Sequence, residues 1–165
     1  MIRTTYTFEL KGLMAGLTDR QVMGALNWAK KRAAAEAMEP FRKREIPGRF
    51  DNSKAGDLRW ERRDASYTQD KRKKKGHGYD MKWSGRTEGR ARAGKAFSTR
   101  KRFGLKVTGL GRQFRHRRRG QPNKKAELAR VSTAEARKYG ELFVVALVRL
   151  TRERLKATRK RLKLD

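Results

Sequence analysis

The stretch STAEARKYGELFVVALVRL, residues 132–150, decides how the chain is read. Ser132 and Glu135 stand three apart, directly before a periodic run. That is a capping box, in which each side chain satisfies a backbone N–H at a helix start. Tyr139, Leu142, Phe143, Ala146, Leu147 and Leu150 then recur at helical spacing. Val144, Val145 and Val148 fill much of the opposite side, so the helix must be covered on more than one side. The pattern predicts a helix over Ser132–Arg154. Beyond Leu150 it becomes a basic helical tail, residues 151–165, with Leu155 and Leu162 as its apolar points. Cations suit a helix C-terminus, but each contact is worth only ~0.3–1 kcal/mol, so so long a run needs a further reason.

A second capping box, Thr18 with Gln21, precedes Val22, Leu26, Ala29, Ala33 and Ala37. This predicts a helix over Thr18–Glu39 with an alanine face made for close packing on a sheet. Pro40 ends or kinks it, and Pro47-Gly48 signals a turn. Upstream, Ile2, Tyr6, Phe8 and Leu10 share one parity and Arg3, Thr5, Thr7 and Glu9 the other, which predicts a half-buried strand over Ile2–Leu10. Phe103, Leu105 and Val107 read as another strand, with Arg112 to Arg117 returning beside it around Phe114, and Ala126 to Val131 as a short third segment. Glu88 to Lys95, rich in Gly, Ala and Arg, reads as loop. The expected class is α+β: a small antiparallel sheet with two main helices packed on it. One domain covers residues 1–150, and residues 49–100 form an extended basic loop insertion.

Within that insertion Phe50, Trp60, Tyr67, Tyr79 and Trp83 stand singly among charged and small polar residues. Neither helical nor strand period persists. A disordered linker and an irregular loop pinned by its aromatics both fit; linkers are poor in aromatics, which favours the pinned loop.

Lysine and arginine number 46 against 17 acids, for a formal charge of +29. Such self-repulsion opposes a compact monomer and calls for an anionic partner, nucleic acid first and acidic protein second. There is no cysteine, which excludes disulfides, thiolate zinc sites and thiol catalysis. The N-terminus has no basic head and apolar core of a signal peptide, and the longest apolar run, Leu142 to Val148, is too short to span a bilayer. A soluble or assembly-bound protein is expected, with no membrane partner.

Enzyme chemistry finds no support. His77 and His116 lack the carboxylate or histidine neighbours of a metal site or dyad. Asp51, Asp57, Glu61 and Asp64 are spaced among arginines, as salt-bridge partners rather than convergent metal ligands. Gly85 to Gly94 lacks the Gly-Lys-Ser/Thr of a phosphate loop. No cofactor is implied. Four basic clusters remain: Lys71–Lys75, Arg100–Arg102, Arg115–Arg119 and Arg152–Lys163. A single charge run is usually a solvated face, but four in one small chain suggest phosphate contact. No sequence-reading motif accompanies them, so contact through Arg115, Arg117, Arg118, Arg119, Arg152, Arg159, Lys160 and Arg161 should be electrostatic and sequence-blind. Trp60, Tyr79 and Trp83 are available for base stacking.

Ala25 to Phe41, Ile46-Pro47-Gly48-Arg49-Phe50, Trp60 with Arg63, Tyr67, Lys71, Lys74-Lys75 with Gly78, and Trp83-Ser84-Gly85-Arg86 follow one another in a familiar order. With Glu127-Leu128, Val131-Ser132 and Glu135, this organisation resembles the neck, tail-completion and minor tail-component proteins of tailed bacteriophages. Serine stands where that group has threonine in its "T-G-x-L" segment, and Arg86-Thr87 replaces the apolar step. The resemblance covers residues 20–150 and implies a non-enzymatic virion protein, assembled in the host cytoplasm. It implies a homo-oligomeric ring at the head–tail junction, joining the portal or adaptor to the tail tube or tail terminator around the DNA channel. A ribosomal or other RNA-associated basic protein is the alternative.

For a ring, the expected subunit contacts are Phe50, Trp60, Tyr67, Trp83, Val144 and Val148. The two valines are expected on the side of the last helix that its own sheet leaves uncovered, facing either the loop block or an adjacent subunit.

Overall fold

The computed structural model describes residues 11–60, 64–79, 85–99, 101–108 and 124–164. In chain order they form α1 (Lys11–Met14), α2 (Asp19–Pro40), a π-helical turn (Phe41–Glu45), α3 (Ile46–Phe50), α4 (Ala65–Lys75), α5 (Arg86–Arg92), β1 (Lys95–Ser98), β2 (Phe103–Lys106), α6 (Lys124–Ala129) and α7 (Thr133–Leu162). The class is α+β, with a two-stranded antiparallel sheet and several helices. The chain divides into two compact units. The first is Met1–Glu39, Ala96–Leu105 and Ala136–Asp165; the second is Pro40–Lys95 and Lys106–Glu135. The strand expected over Ile2–Leu10 lies outside the described residues, as does the return segment Arg112–Arg117.

In the first unit α2 starts as its sequence predicts. Thr18 N–H donates to Gln21 Oε1 at 2.8 Å and Gln21 N–H to Thr18 Oγ1 at 3.4 Å. The alanine face is buried, but its partner is α7. Ala29 and Ala33 form one cluster with Ala146 and Leu150, flanked by Trp28, Phe143 and Leu147. Alanine has no side chain beyond Cβ, so two helices can approach closely there. The sheet is a hairpin, closed by Thr99 and Arg102, whose N–H donates to Thr99 Oγ1 at 3.2 Å while Thr99 N–H donates to Arg102 O at 2.8 Å. Phe97 lies over Gly104 so closely that a Cβ there would sit 3.3 Å from its ring. Phe103 stacks on Phe143 of α7, centroids 4.2 Å apart and planes 7° apart, which joins the hairpin to the helix.

The end of α7 is a Schellman turn: Lys163 N–H reaches Lys160 O and Leu164 N–H reaches Arg159 O, both at 3.2 Å. Lys163 takes the left-handed conformation, φ 56°, that glycine usually supplies. Leu164 then packs on Gly16, whose φ of +75° and lack of a side chain make room for it.

The second unit corrects the loop reading of residues 49–100. The backbone stays helical through Pro40 and Pro47. A π turn absorbs the first, with Ile46 N–H bonded to Phe41 O, and the second sits in the opening turn of α3, where its missing N–H costs nothing. Residues 65–75 and 86–92 are helices, not loop. α4 is capped by Asp64, whose carboxylate accepts from Ser66 N–H and Ser66 Oγ at 2.9 Å each. Its covered residue is Lys71, so a search for apolar periodicity passes over it. α5 buries only Ala91, and Arg92 pairs with Glu88 one turn earlier at 2.9 Å. Residues 124–129 are helix, not strand. Among the unit's described residues Ile46, Phe50, Leu58 and Ala91 are the buried apolar ones, and α3 packs on α5.

Candidate nucleic-acid interface

Two kinds of cation occur, those consumed by the fold and those left on its surface. Arg49 is of the first kind, with 0% of its surface exposed. Its Nη2 donates to Glu135 Oε2 at 2.8 Å and to Arg130 O at 3.0 Å, its Nη1 to Glu45 O at 3.1 Å, and it lies 4.8 Å from the centroid of Phe41. Glu135 is also the predicted capping residue of α7: Ser132 N–H donates to its Oε2 and its own N–H donates to Ser132 Oγ, both at 3.1 Å. Arg130 Nη1 in turn donates to Arg59 O at 2.7 Å. Lys54 Nζ pairs with the buried Glu45 at 3.0 Å, and this hydrogen bond holds the lysine's pKa above its ordinary value. Lys71 is buried, donates to Tyr79 O and stands 5.6 Å from the centre of the Tyr67 ring. Sequence reading named Arg49 and Lys71 without assigning them these contacts; buried cations carry no periodic signal.

Arg159 belongs with them. Its guanidinium donates to Ala15 O at 2.6 Å, to Gly12 O at 3.5 Å and to Leu164 O. It ties the last turn of α7 to the segment after α1 while staying half-exposed, so this expected polyanion contact also has a part in the fold. Arg152, Lys160 and Arg161 are exposed. Arg115, Arg117, Arg118 and Arg119 lie outside the described residues. Arg154 and Arg32 lie 5.3 Å and 5.7 Å from the Trp28 ring centroid, a pair of cation–π contacts that fixes both charges.

The expected subunit-contact residues separate in the same way. Phe50 is buried within its own unit and is a core residue, which corrects its assignment to an interface. Trp60 and Tyr67 are half-buried, and Trp83 lies outside the described residues. Val144 and Val148 are half-buried, whereas Val145 is 68% and Leu142 43% exposed. The outward line of α7 therefore passes through Leu142 and Val145, not through the two valines chosen by counting from the sequence.

Among the described residues no cluster of histidines and acids could hold a metal ion, and no helix is long and apolar enough to cross a membrane. Compared with family models, curated proteins and solved structures, the chain finds no match.

Proposed function

We propose that this protein is a non-enzymatic structural component of a tailed-phage virion, at the neck or tail-completion position. In this reading it forms a homo-oligomeric ring that links portal or adaptor to the tail tube or terminator, and its basic surface contacts genomic DNA without regard to sequence. The observation that carries the reading is the joining of the resembling segments. Residues from the Ile46–Phe50 segment and the segment entering the last helix meet at Arg49 and Glu135, 86 positions apart. A shared sequence order is more informative when its members hold one another in place. The outward Leu142 and Val145 supply apolar surface of the kind that neighbouring subunits cover.

The test is light scattering and negative-stain electron microscopy of the purified chain, at low and high salt. Closed rings of uniform size are the expected result. A monodisperse monomer under all conditions, with or without DNA, overturns the ring. The RNA-associated alternative predicts co-sedimentation with ribosomes that survives moderate salt, and the virion reading predicts none.

A further inference from the structure

From the outward face of α7 we infer a binding surface for the phosphate backbone of duplex nucleic acid, centred on Arg152, Lys156 and Lys160 and ending at Lys163. Arg152, Lys156 and Lys160 lie at i, i+4 and i+8 of α7, within an arc of about 80° at about 100° per residue, and Lys163 follows in the left-handed turn that ends the helix. All four are exposed, and among the described residues no hydrogen bond, ion pair or ring contact engages their side chains. The helical line from Arg152 to Lys160 is about 12 Å long at about 1.5 Å per residue. Duplex DNA presents about three to four phosphates per strand over that length.

Three observations favour duplex backbone over other anions. Residues 154–164 contain no acid, so nothing on the line competes for its cations, and Glu153 beside it is held by Arg149 at 3.0 Å. Single-strand binders add open aromatic platforms to a basic groove. Here the described rings of the same unit are covered: Trp28 by Arg32 and Arg154, Phe97 by Arg102, and Phe103 by Phe143. The surface is also convex, a single helix anchored underneath by the buried Thr151 and Leu155 and at its end by Arg159. It offers point charges at fixed spacing and no pocket for a side chain of an acidic peptide. The inference rests on the proposed function for its biological setting alone.

The experiment uses the full chain and a short random-sequence duplex, with affinity followed against salt. The triple variant Arg152→Gln, Lys156→Gln, Lys160→Gln should lower the log–log salt slope by about 2.7, three phosphates at about 0.9 each. A matched triple of exposed cations outside the basic clusters, Arg44→Gln, Lys95→Gln, Lys106→Gln, should leave the slope within error of the parent. The charge-preserving set Arg152→Lys, Lys156→Arg, Lys160→Arg should restore it. Equal losses from the two neutral triples would overturn the assignment, since net charge alone would then explain binding. Tighter binding to single strands, or equal competition by polyglutamate at matched charge, would overturn the duplex partner. Light scattering without DNA, run on the same variants, reports the ring separately: a slope contrast without rings would remove the ring and leave this surface standing.

Discussion

Arg49 Nη2 lies 2.8 Å from Glu135 Oε2, in a site where the arginine has no exposed surface and the glutamate is also the capping residue of α7. One carboxylate oxygen thus serves a long-range ion pair and a local helix start together. Breaking a buried pair from one side leaves the other charge without its partner, which costs about 3–5 kcal/mol. Arg49→Met should be destabilising by that amount in urea unfolding. Glu135→Gln keeps a capping-box acceptor and removes the charge. The double variant should be more stable than the sum of the singles predicts, and simple additivity would deny the coupling.

The contact between α2 and α7 gives a second expectation. Ala33 is fully buried in the cluster with Ala146 and Leu150. Ala33→Leu should overpack this contact and cost about 1–3 kcal/mol. Met23, on the same helix but half exposed, should tolerate Met23→Ala within about 0.5 kcal/mol. Similar thermal midpoints for the two variants would contradict the packing described.

A pH dependence follows from Asp64. Donation from the Ser66 N–H, and then from its hydroxyl, holds this carboxyl below the ordinary carboxylate pKa of about 3.9. A depressed pKa means stabilisation that is fully present above the unfolded-state value and lost as pH falls through the folded-state value. The stability difference between the parent and Asp64→Ala should therefore be constant near neutrality and shrink in acid, below the unfolded value of about 3.9. An NMR titration of Asp64 showing an elevated value would reverse the sign and refute the expectation.

If the proposed ring is built through the outward line of α7, substitutions along that line separate assembly from folding. Val145→Asp places a charge in water, so helical circular dichroism should persist while ring formation is lost. Val148→Asp forces a charge into a half-buried site and should destabilise the fold by about 3 kcal/mol. Rings that survive Val145→Asp would remove this face from the interface.

Sequence alone determined what is local. The pairs Thr18 with Gln21 and Ser132 with Glu135 announced both long helices, because a capping box satisfies backbone donors within one turn and needs nothing else. The strand at Phe103 and the high positive charge were equally legible. Tertiary structure decided the rest. Residues 65–75 and 86–92 are helical although their covered residues are a lysine and an alanine, which apolar periodicity cannot register. It also decided which arginines are spent. Arg49 and Arg159 look like any other cation in the chain, and only distant carbonyls and a carboxylate show that the fold engages them. Along α7 the buried residues change from Tyr139, Ala146 and Leu150 to Thr151 and Leu155. Counting at a fixed helical period therefore pointed to Val144 and Val148, while Val145 faces out. Periodicity records that a helix has a covered side, and only the neighbours that cover it determine where that side lies.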